Sequence, residues 1–505
     1  MTTRVLTHGF LLDYARNPTN VLILVLVPVV FVAVAADSLA DAARLLGGDG
    51  VALELATAGW AAGFLAGVAM YFQVAAARDT DRRLLLSGAR PIALVTARLT
   101  TGLVLALLAS TAALTVLALR DPLDQPGRVV AGTVMFALVY LGIGAVVGMI
   151  VRDPVNGTVV ILLIWLVDIF FGPTLSSGDH AITRIFPTHF VSLWLSGTDS
   201  GHAGVAGELG ISIAWVAASL TGAAWLITRR SRVGRRATPA SHLQGPSQQY
   251  RRALYLGIRE LGRNPVLWIL LVLVPALFIV LSDVTTPSGR MGIAVREDAA
   301  LATRIFDPAE IHGGTMTPIA IASLAMLVGL FTILATRAAD RRLSLAGLRP
   351  VVLFSVRLTV ILAATLVATL AALAVTATVF RPENWAVYAA GNALVAITYA
   401  LAGVLVGPLF GRVSGVFMAF LLPFLDVGIA QSPMLRTQPE TWAEWLPAYG
   451  GTRLVVDGGL TSGFDEARAL LLATAWVAAL IAVTTVTWLR TTSVPGQGIR
   501  SATSR

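Results

Sequence analysis

Read for alternation of apolar and polar positions, the chain resolves into long apolar runs separated by short polar stretches. Twelve of these runs approach the ~20 residues that an α-helix needs to cross a bilayer. In the first half they cover roughly residues 19–36, 57–77, 92–119, 127–151, 157–173 and 207–228. In the second half they cover roughly 266–282, 317–336, 351–380, 385–410, 414–431 and 467–489. The pattern predicts an all-α polytopic membrane protein with twelve transmembrane helices, six in each half. The first run follows a polar, charged lead and shows no small-residue cleavage pattern, so it reads as a retained span.

The polar stretches repeat as well. "ARDTDRRLLLSGARP" at 77–91 returns as "TRAADRRLSLAGLRP" at 336–350. "RNPTNVLILVLVPVVF" from Arg16 is echoed by "RNPVLWILLVLVPALF" from Arg263, Gly148 by Gly407, Gly157 by Gly415 and Asp168 by Asp426. An even number of spans per copy gives both copies one orientation, so the repeats are expected to be parallel, as in a fused homodimer. The expected domains are a first six-helix repeat at 1–228, a cytoplasmic linker at 229–249, a second repeat at 250–490 and a tail at 491–505. The linker, rich in Arg, Pro, Gly, Ser and Gln, has the composition of a solvated connection. An amphipathic segment precedes each repeat: Leu254, Ile258 and Leu261 recur at helical spacing among arginines, and Leu6, Phe10 and Tyr14 form a weaker version. Each reads as a helix in the membrane interface, stopped by Asn17-Pro18 or Asn264-Pro265.

Charge fixes the expected orientation. With both termini inside, 26 of the 37 basic residues fall on the cytoplasmic side and 20 of the 28 acidic residues fall outside. That asymmetry follows the positive-inside rule, and it makes the net charge of +9 a sign of topology and of contact with lipid headgroups more than of nucleic-acid binding. All 37 basic residues are arginine. A chain without lysine cannot supply the Walker A loop, whose lysine reaches the β- and γ-phosphates, so any ATP with its Mg must be bound by a partner. The absence of cysteine removes disulfides and thiolate metal sites, and the histidines include no HExxH-type pair, so no metal site is expected. No nucleophile-elbow pattern accompanies a Ser/His/Asp set, and no catalytic residue is expected.

The interfacial segment ending in "RNP", the "VP" of Pro28 and Pro275, and the Arg-rich loop ending in Gly-x-Arg-Pro together resemble the type-2 class of ABC exporter permeases. In that family a six-span permease pairs with another, and the loop between spans 2 and 3 forms a coupling helix docked on a separate ATPase. The resemblance implies two ATPase-coupling loops: Asp81, Arg82, Arg83, Leu84, Leu85, Gly88, Arg90 and Pro91, then Asp340, Arg341, Arg342, Leu343, Leu345, Gly347, Arg349 and Pro350. It implies two copies of an ATP-binding ATPase subunit as partners, membrane lipids, and a hydrophobic small-molecule substrate. It also implies export from a bacterial cell across the plasma membrane. The fused form is similar to tetronasin-type antibiotic and multidrug export permeases. A secondary transporter of the major-facilitator kind shares the six-plus-six plan, but the loop lacks the GxxxDRxGRR pattern.

Two acids fall inside spans, where a carboxylate is costly and faces a cavity or a partner. Asp168 and Asp426 could line a substrate cavity with Tyr71, Phe72, Trp165, Phe171, Phe331, Phe420 and Phe424. Equally, each could hydrogen-bond the irregular backbone that follows it. The segments 174–207 and 432–465 are too long for turns and hold apolar stretches too short to cross, as expected of re-entrant helices. The loop at 283–317 is longer and more charged than its counterpart at 37–56.

Overall fold

Seven of the helices among the described residues begin on a proline, a residue whose missing N–H falls where a helix has no use for one. The structure, a computed structural model, describes residues 2–45, 50–120, 122–123, 125–170, 172–173, 184–197, 203–229, 250–251, 254–255, 257–259, 262, 265–297, 300–345 and 348–492. Leu261, Asn264, Phe171, Gly347, most of the 229–249 linker and nearly all of the tail lie outside them. The chain separates into two compact units, Met1–Arg235 with Thr285–Pro287, and Arg236–Val284 with Ser288–Arg505.

The first unit contains α1 (Thr3–Ala15), α2 (Pro18–Leu45), α3 (Gly50–Leu86), α4 (Pro91–Arg120), α5 (Pro126–Ile150), α6 (Pro154–Phe170), α7 (His189–Ser196) and α8 (Gly204–Arg229). The second contains α9 (Pro265–Thr285), strands β1 (Met291–Glu297) and β2 (Ala300–Phe306), α10 (Pro308–Leu345), α11 (Pro350–Val379), α12 (Trp385–Pro423), α13 (Tyr449–Leu460) and α14 (Ala467–Thr492). A seven-residue π-helical segment, Phe424–Ala430, continues α12, and a 3₁₀ turn spans Thr441–Trp445.

Ten helices among the described residues are long and apolar enough to cross a membrane, and the protein is a multi-pass membrane protein. The number differs from twelve for two physical reasons. The run at 157–173 forms the shorter Pro154–Ile169 helix, and the runs at 385–410 and 414–431 follow one another so closely that Trp385–Ala430 counts once, although it holds two helices that meet at Gly411. Within that stretch Gly411, at φ 75° and ψ −166°, is not helical, and the chain turns back there, since the Tyr399 hydroxyl reaches Asp426, 27 residues further on, at 2.7 Å. A second departure is local: β1 and β2 pair antiparallel from Met291 opposite Phe306 to Glu297 opposite Ala300, so the fold is nearly, not wholly, α-helical. Their charged residues read as loop, while the alternate Ile293 and Val295 turn into the core.

Apolar side chains gain little by leaving lipid, so helices in a bilayer associate through close packing. In the first unit α3 lies against α5 so tightly that a Cβ on Gly144 would stand 2.0 Å from the carbonyl oxygen of Gly67. In the second, α10 lies against α12, and a Cβ on Gly403 would stand 2.1 Å from the carbonyl oxygen of Met326. Gly144 and Gly403 are 259 positions apart, the offset of the repeated polar stretch. Only glycine allows these backbones to meet.

Candidate functional site

The first group of candidate residues lies at the ends of α3 and α10. These helices have 37 and 38 residues. At 1.5 Å per residue each is about 55 Å long, against ~30 Å of hydrocarbon, so each projects well beyond the membrane. The 77–91 stretch is therefore mostly helix: nothing in "AAARDTDRRLLL" stops α3 before Ser87. Gly88 then takes φ 92°, Ala89 N–H bonds the Leu84 carbonyl at 3.0 Å and Gly88 N–H the Leu85 carbonyl at 3.1 Å. This is a Schellman cap, and its left-handed residue favours glycine. In the second unit Leu348 N–H makes the same bond to the Leu343 carbonyl at 3.0 Å.

Within each tip, acids and arginines face different ways. Arg82, Arg83 and Arg90 are exposed, as are Arg341, Arg342 and Arg349. Leu84, Leu85 and Leu343 are half-buried, Pro91 is exposed and Pro350 half-buried. The Leu345 side chain lies outside the described set. Asp81 turns inward to accept a bond of 2.7 Å from Arg98 on α4. The Arg98 guanidinium lies 3.6 Å from the centre of the Phe10 ring, which ties the interfacial helix α1 to the same point. Burial pushes the Asp81 carboxyl above its ordinary value, opposed by the nearby Arg98 charge and its hydrogen bond. Asp340 is enclosed completely and accepts from Arg357 Nε and Nη2 at 2.9–3.3 Å. The acids hold the tips together internally and leave the arginines free to face outward.

The second group surrounds the membrane carboxylates. Asp168, near the end of α6, accepts from the Tyr140 hydroxyl at 2.7 Å, the Thr188 hydroxyl at 2.6 Å and the Thr188 N–H at 3.3 Å. Thr188 is the residue immediately before α7. Asp426, in the π-helical segment, accepts from the Tyr399 hydroxyl at 2.7 Å, the Ala448 N–H at 3.0 Å and the Gln431 side-chain amide at 3.4 Å. Ala448 immediately precedes α13. The acids are only 3% and 5% exposed, and three donors meet each.

The aromatic candidates are spread through the packing. Tyr71 is fully enclosed, donates to the Asp153 carbonyl at 2.9 Å and meets Phe72 edge-on. The Trp165 indole N–H bonds the Trp60 carbonyl at 3.0 Å, and its ring lies 5.1 Å from that of Phe64. Phe331 is buried, whereas Phe420 and Phe424 are half-buried. The partners that complete both groups, Arg98, Arg357, Tyr140 and Tyr399, are not among the residues singled out from sequence. The signal was present, since 98 and 357, and 140 and 399, are each one repeat offset apart.

No curated protein matches the chain. Residues 53–227, from near the start of α3 almost to the end of α8, match the family model described as ABC-2 family transporter protein. With its long apolar helices and its projecting helix tips, the chain carries over these residues the membrane-spanning permease domain of an ABC-2 type transporter.

Proposed function

We propose that the chain is the permease of an ATP-driven exporter that moves hydrophobic or amphipathic compounds, lipid-like or drug-like, out of a bacterial cell across the plasma membrane. Both termini are then cytoplasmic, and a dimer of separate ATPase subunits binds ATP and Mg. The observation that carries this reading is the pair of basic tips. Each lifts exposed arginines well clear of the hydrocarbon and places apolar side chains beside them: Leu86, 79% exposed, and Ile92, 77%, in the first unit, and Val351, 57%, in the second. An apolar centre with a charged rim is the composition of a protein-docking surface, and two such tips suit a two-fold ATPase. The missing lysine supports the same division of labour.

The test is charge reversal at the tips. Arg82→Glu with Arg83→Glu, or Arg341→Glu with Arg342→Glu, should weaken co-purification of the ATPase and uncouple hydrolysis from transport, with membrane insertion intact, because like charges across an interface cost several kcal/mol. Wild-type coupling in both variants would reduce the tips to lipid anchors. Recovery of one ATPase copy per chain, or proton-driven transport by the chain alone, would overturn the exporter reading.

A further inference from the structure

The two membrane carboxylates are spent on the same task in each unit. One donor is a tyrosine on the preceding long helix, Tyr140 on α5 or Tyr399 on α12. Another is the backbone N–H of the residue that opens the short helix beyond, Thr188 before α7 or Ala448 before α13. The third donor differs. Unit one uses the Thr188 hydroxyl; unit two has alanine at that position, and Gln431, which ends the acid's own π-helical segment, donates instead. Two different solutions that complete one set of bonds show that the requirement is a fully satisfied carboxylate at that point, not a particular neighbouring side chain.

The bond also sits where it decides position. Both short helices follow a Pro-x step, Pro187-Thr188 and Pro447-Ala448. Apolar packing such as that of Val191 and Leu195 in α7 holds them against their unit. In a membrane such packing discriminates weakly between positions, because lipid offers similar contacts, whereas a buried carboxylate with three donors has one arrangement that satisfies all of them. The short helices lie at the end of each unit opposite the basic tips, since α6 and the part of α12 after Gly411 run from the tip end to the acid. We propose that Tyr140–Asp168–Thr188 and Tyr399–Asp426–Ala448 are matched latches that hold α7 and α13 closed over that end, and that they are the contacts broken when these helices move aside for substrate. Tyr140 and Tyr399 are then positioning residues, acting through the carboxylate on a helix they do not themselves cap.

The chain lacks cysteine, so a single introduced thiol reports on one place. Ser192 and Thr452 are equivalent probes: each is buried in its short helix and donates its hydroxyl to the latch residue's carbonyl, at 2.9 and 3.0 Å. Ser192→Cys and Thr452→Cys chains are reconstituted in lipid nanodiscs, where both faces meet a polar maleimide, and labelling rates are compared with and without Tyr140→Phe or Tyr399→Phe. Thr188→Ala removes a bond made directly to the short helix and should raise labelling at 192 by roughly tenfold and leave 452 unchanged, since one hydrogen bond to a charged group is worth about a factor of ten in an opening equilibrium. Tyr140→Phe, acting through the carboxylate, should give a smaller rise at 192 alone, and Tyr399→Phe and Gln431→Leu smaller rises at 452 alone. Unchanged labelling in all four variants, or an equal rise at both probes in any of them, would overturn the latch. The measurement needs neither the ATPase nor the membrane orientation, so its failure would leave the proposed function standing.

Discussion

At the membrane carboxylate the two units agree, down to a tyrosine hydroxyl at 2.7 Å and a helix-opening N–H, yet a few residues further on they part. In the first unit α7 has eight residues and ends at Gly197 in a left-handed conformation. In the second, α13 has twelve and is braced by a hairpin. There Arg453, held by two bonds to Glu466, reaches the Ala294 carbonyl of β1, and Ala294 N–H bonds the Thr437 carbonyl at 2.9 Å. Ile293 and Val295 join α13 residues Val455, Val456 and Leu460 in one apolar cluster. Counting from Pro187 and Pro447, Leu193 stands in the first unit where Arg453 stands in the second. The contrast separates two kinds of constraint. A carboxylate in the bilayer must be satisfied wherever it occurs, whereas the surrounding cap can be built from lipid-compatible packing or from a polar brace.

The feature most alike in the units should be the most costly to break. Gly144→Val and Gly403→Val would each drive a side chain into a backbone carbonyl 2.0–2.1 Å away, and backbone cannot step aside as a flexible side chain can. Both should abolish folding of the unit concerned, read as loss of monodisperse protein in detergent. A folded Gly403→Val chain with a folding failure at Gly144 would show that the two helix pairs are not equivalent.

Removal of the acids comes next. Asp168→Leu or Asp426→Leu strands three buried donors, each costing about 1–3 kcal/mol, so a loss of several kcal/mol is expected. Asn keeps an acceptor and the shape, and should lose about half as much. Should Asn and Leu be equally tolerated in thermal unfolding, the carboxylates hold nothing. If Asn unfolds normally but alters transport of cationic compounds, a substrate role gains ground over the latch.

The brace belongs to one unit, and so should its loss. Arg453→Leu installs the first unit's residue in the second and leaves Glu466, only 5% exposed, without its main partner. Breaking a buried pair from one side costs about 3–5 kcal/mol, while replacing both partners by apolar groups is often near neutral. The expected result is faster amide exchange across Met291–Phe306 and α13 with little change in α7, reversed when Glu466→Leu is added. Equal exchange in α7 would mean that the units do not behave independently.

How much of this was legible depends on which force fixes each part. Apolar run lengths give the helices directly, because span length is set by the bilayer and not by a partner. The helix implied between spans 2 and 3 is the end of α3 itself; its continuity with the span was hidden because a helix in water looks as polar as a loop, and the stop is Gly88, whose left-handed φ marks the cap. The tip acids read as docking groups because sequence shows their charge but not that Arg98 and Arg357 reach back from the next helix to claim it. The same holds for Tyr140 and Tyr399, ordinary apolar-run residues until the fold brings their hydroxyls to a carboxylate. The hairpin was hidden because Arg296, Glu297 and Arg304 interrupt the alternation that would mark its strands.

The smallest expected effect lies at the Asp81 pair and tests whether the first tip is held by charge alone. Burial raises this carboxyl above its unfolded value despite Arg98, so between the two values the native state keeps a proton that the unfolded chain has shed. More protons bound to the native state means that stability declines as pH rises through that window, which begins near the ordinary carboxylate value of about 4. The group is partly screened, and the change should stay below about 1 kcal/mol. Thermal unfolding of the wild type and of Asp81→Asn, followed upward from about pH 4, should differ in slope: the wild type loses a little stability as pH rises, and the Asn chain loses less. A steeper decline in Asp81→Asn would mean that the Arg98 charge outweighs burial, and that the tip is closed by an ion pair that water has not yet reached.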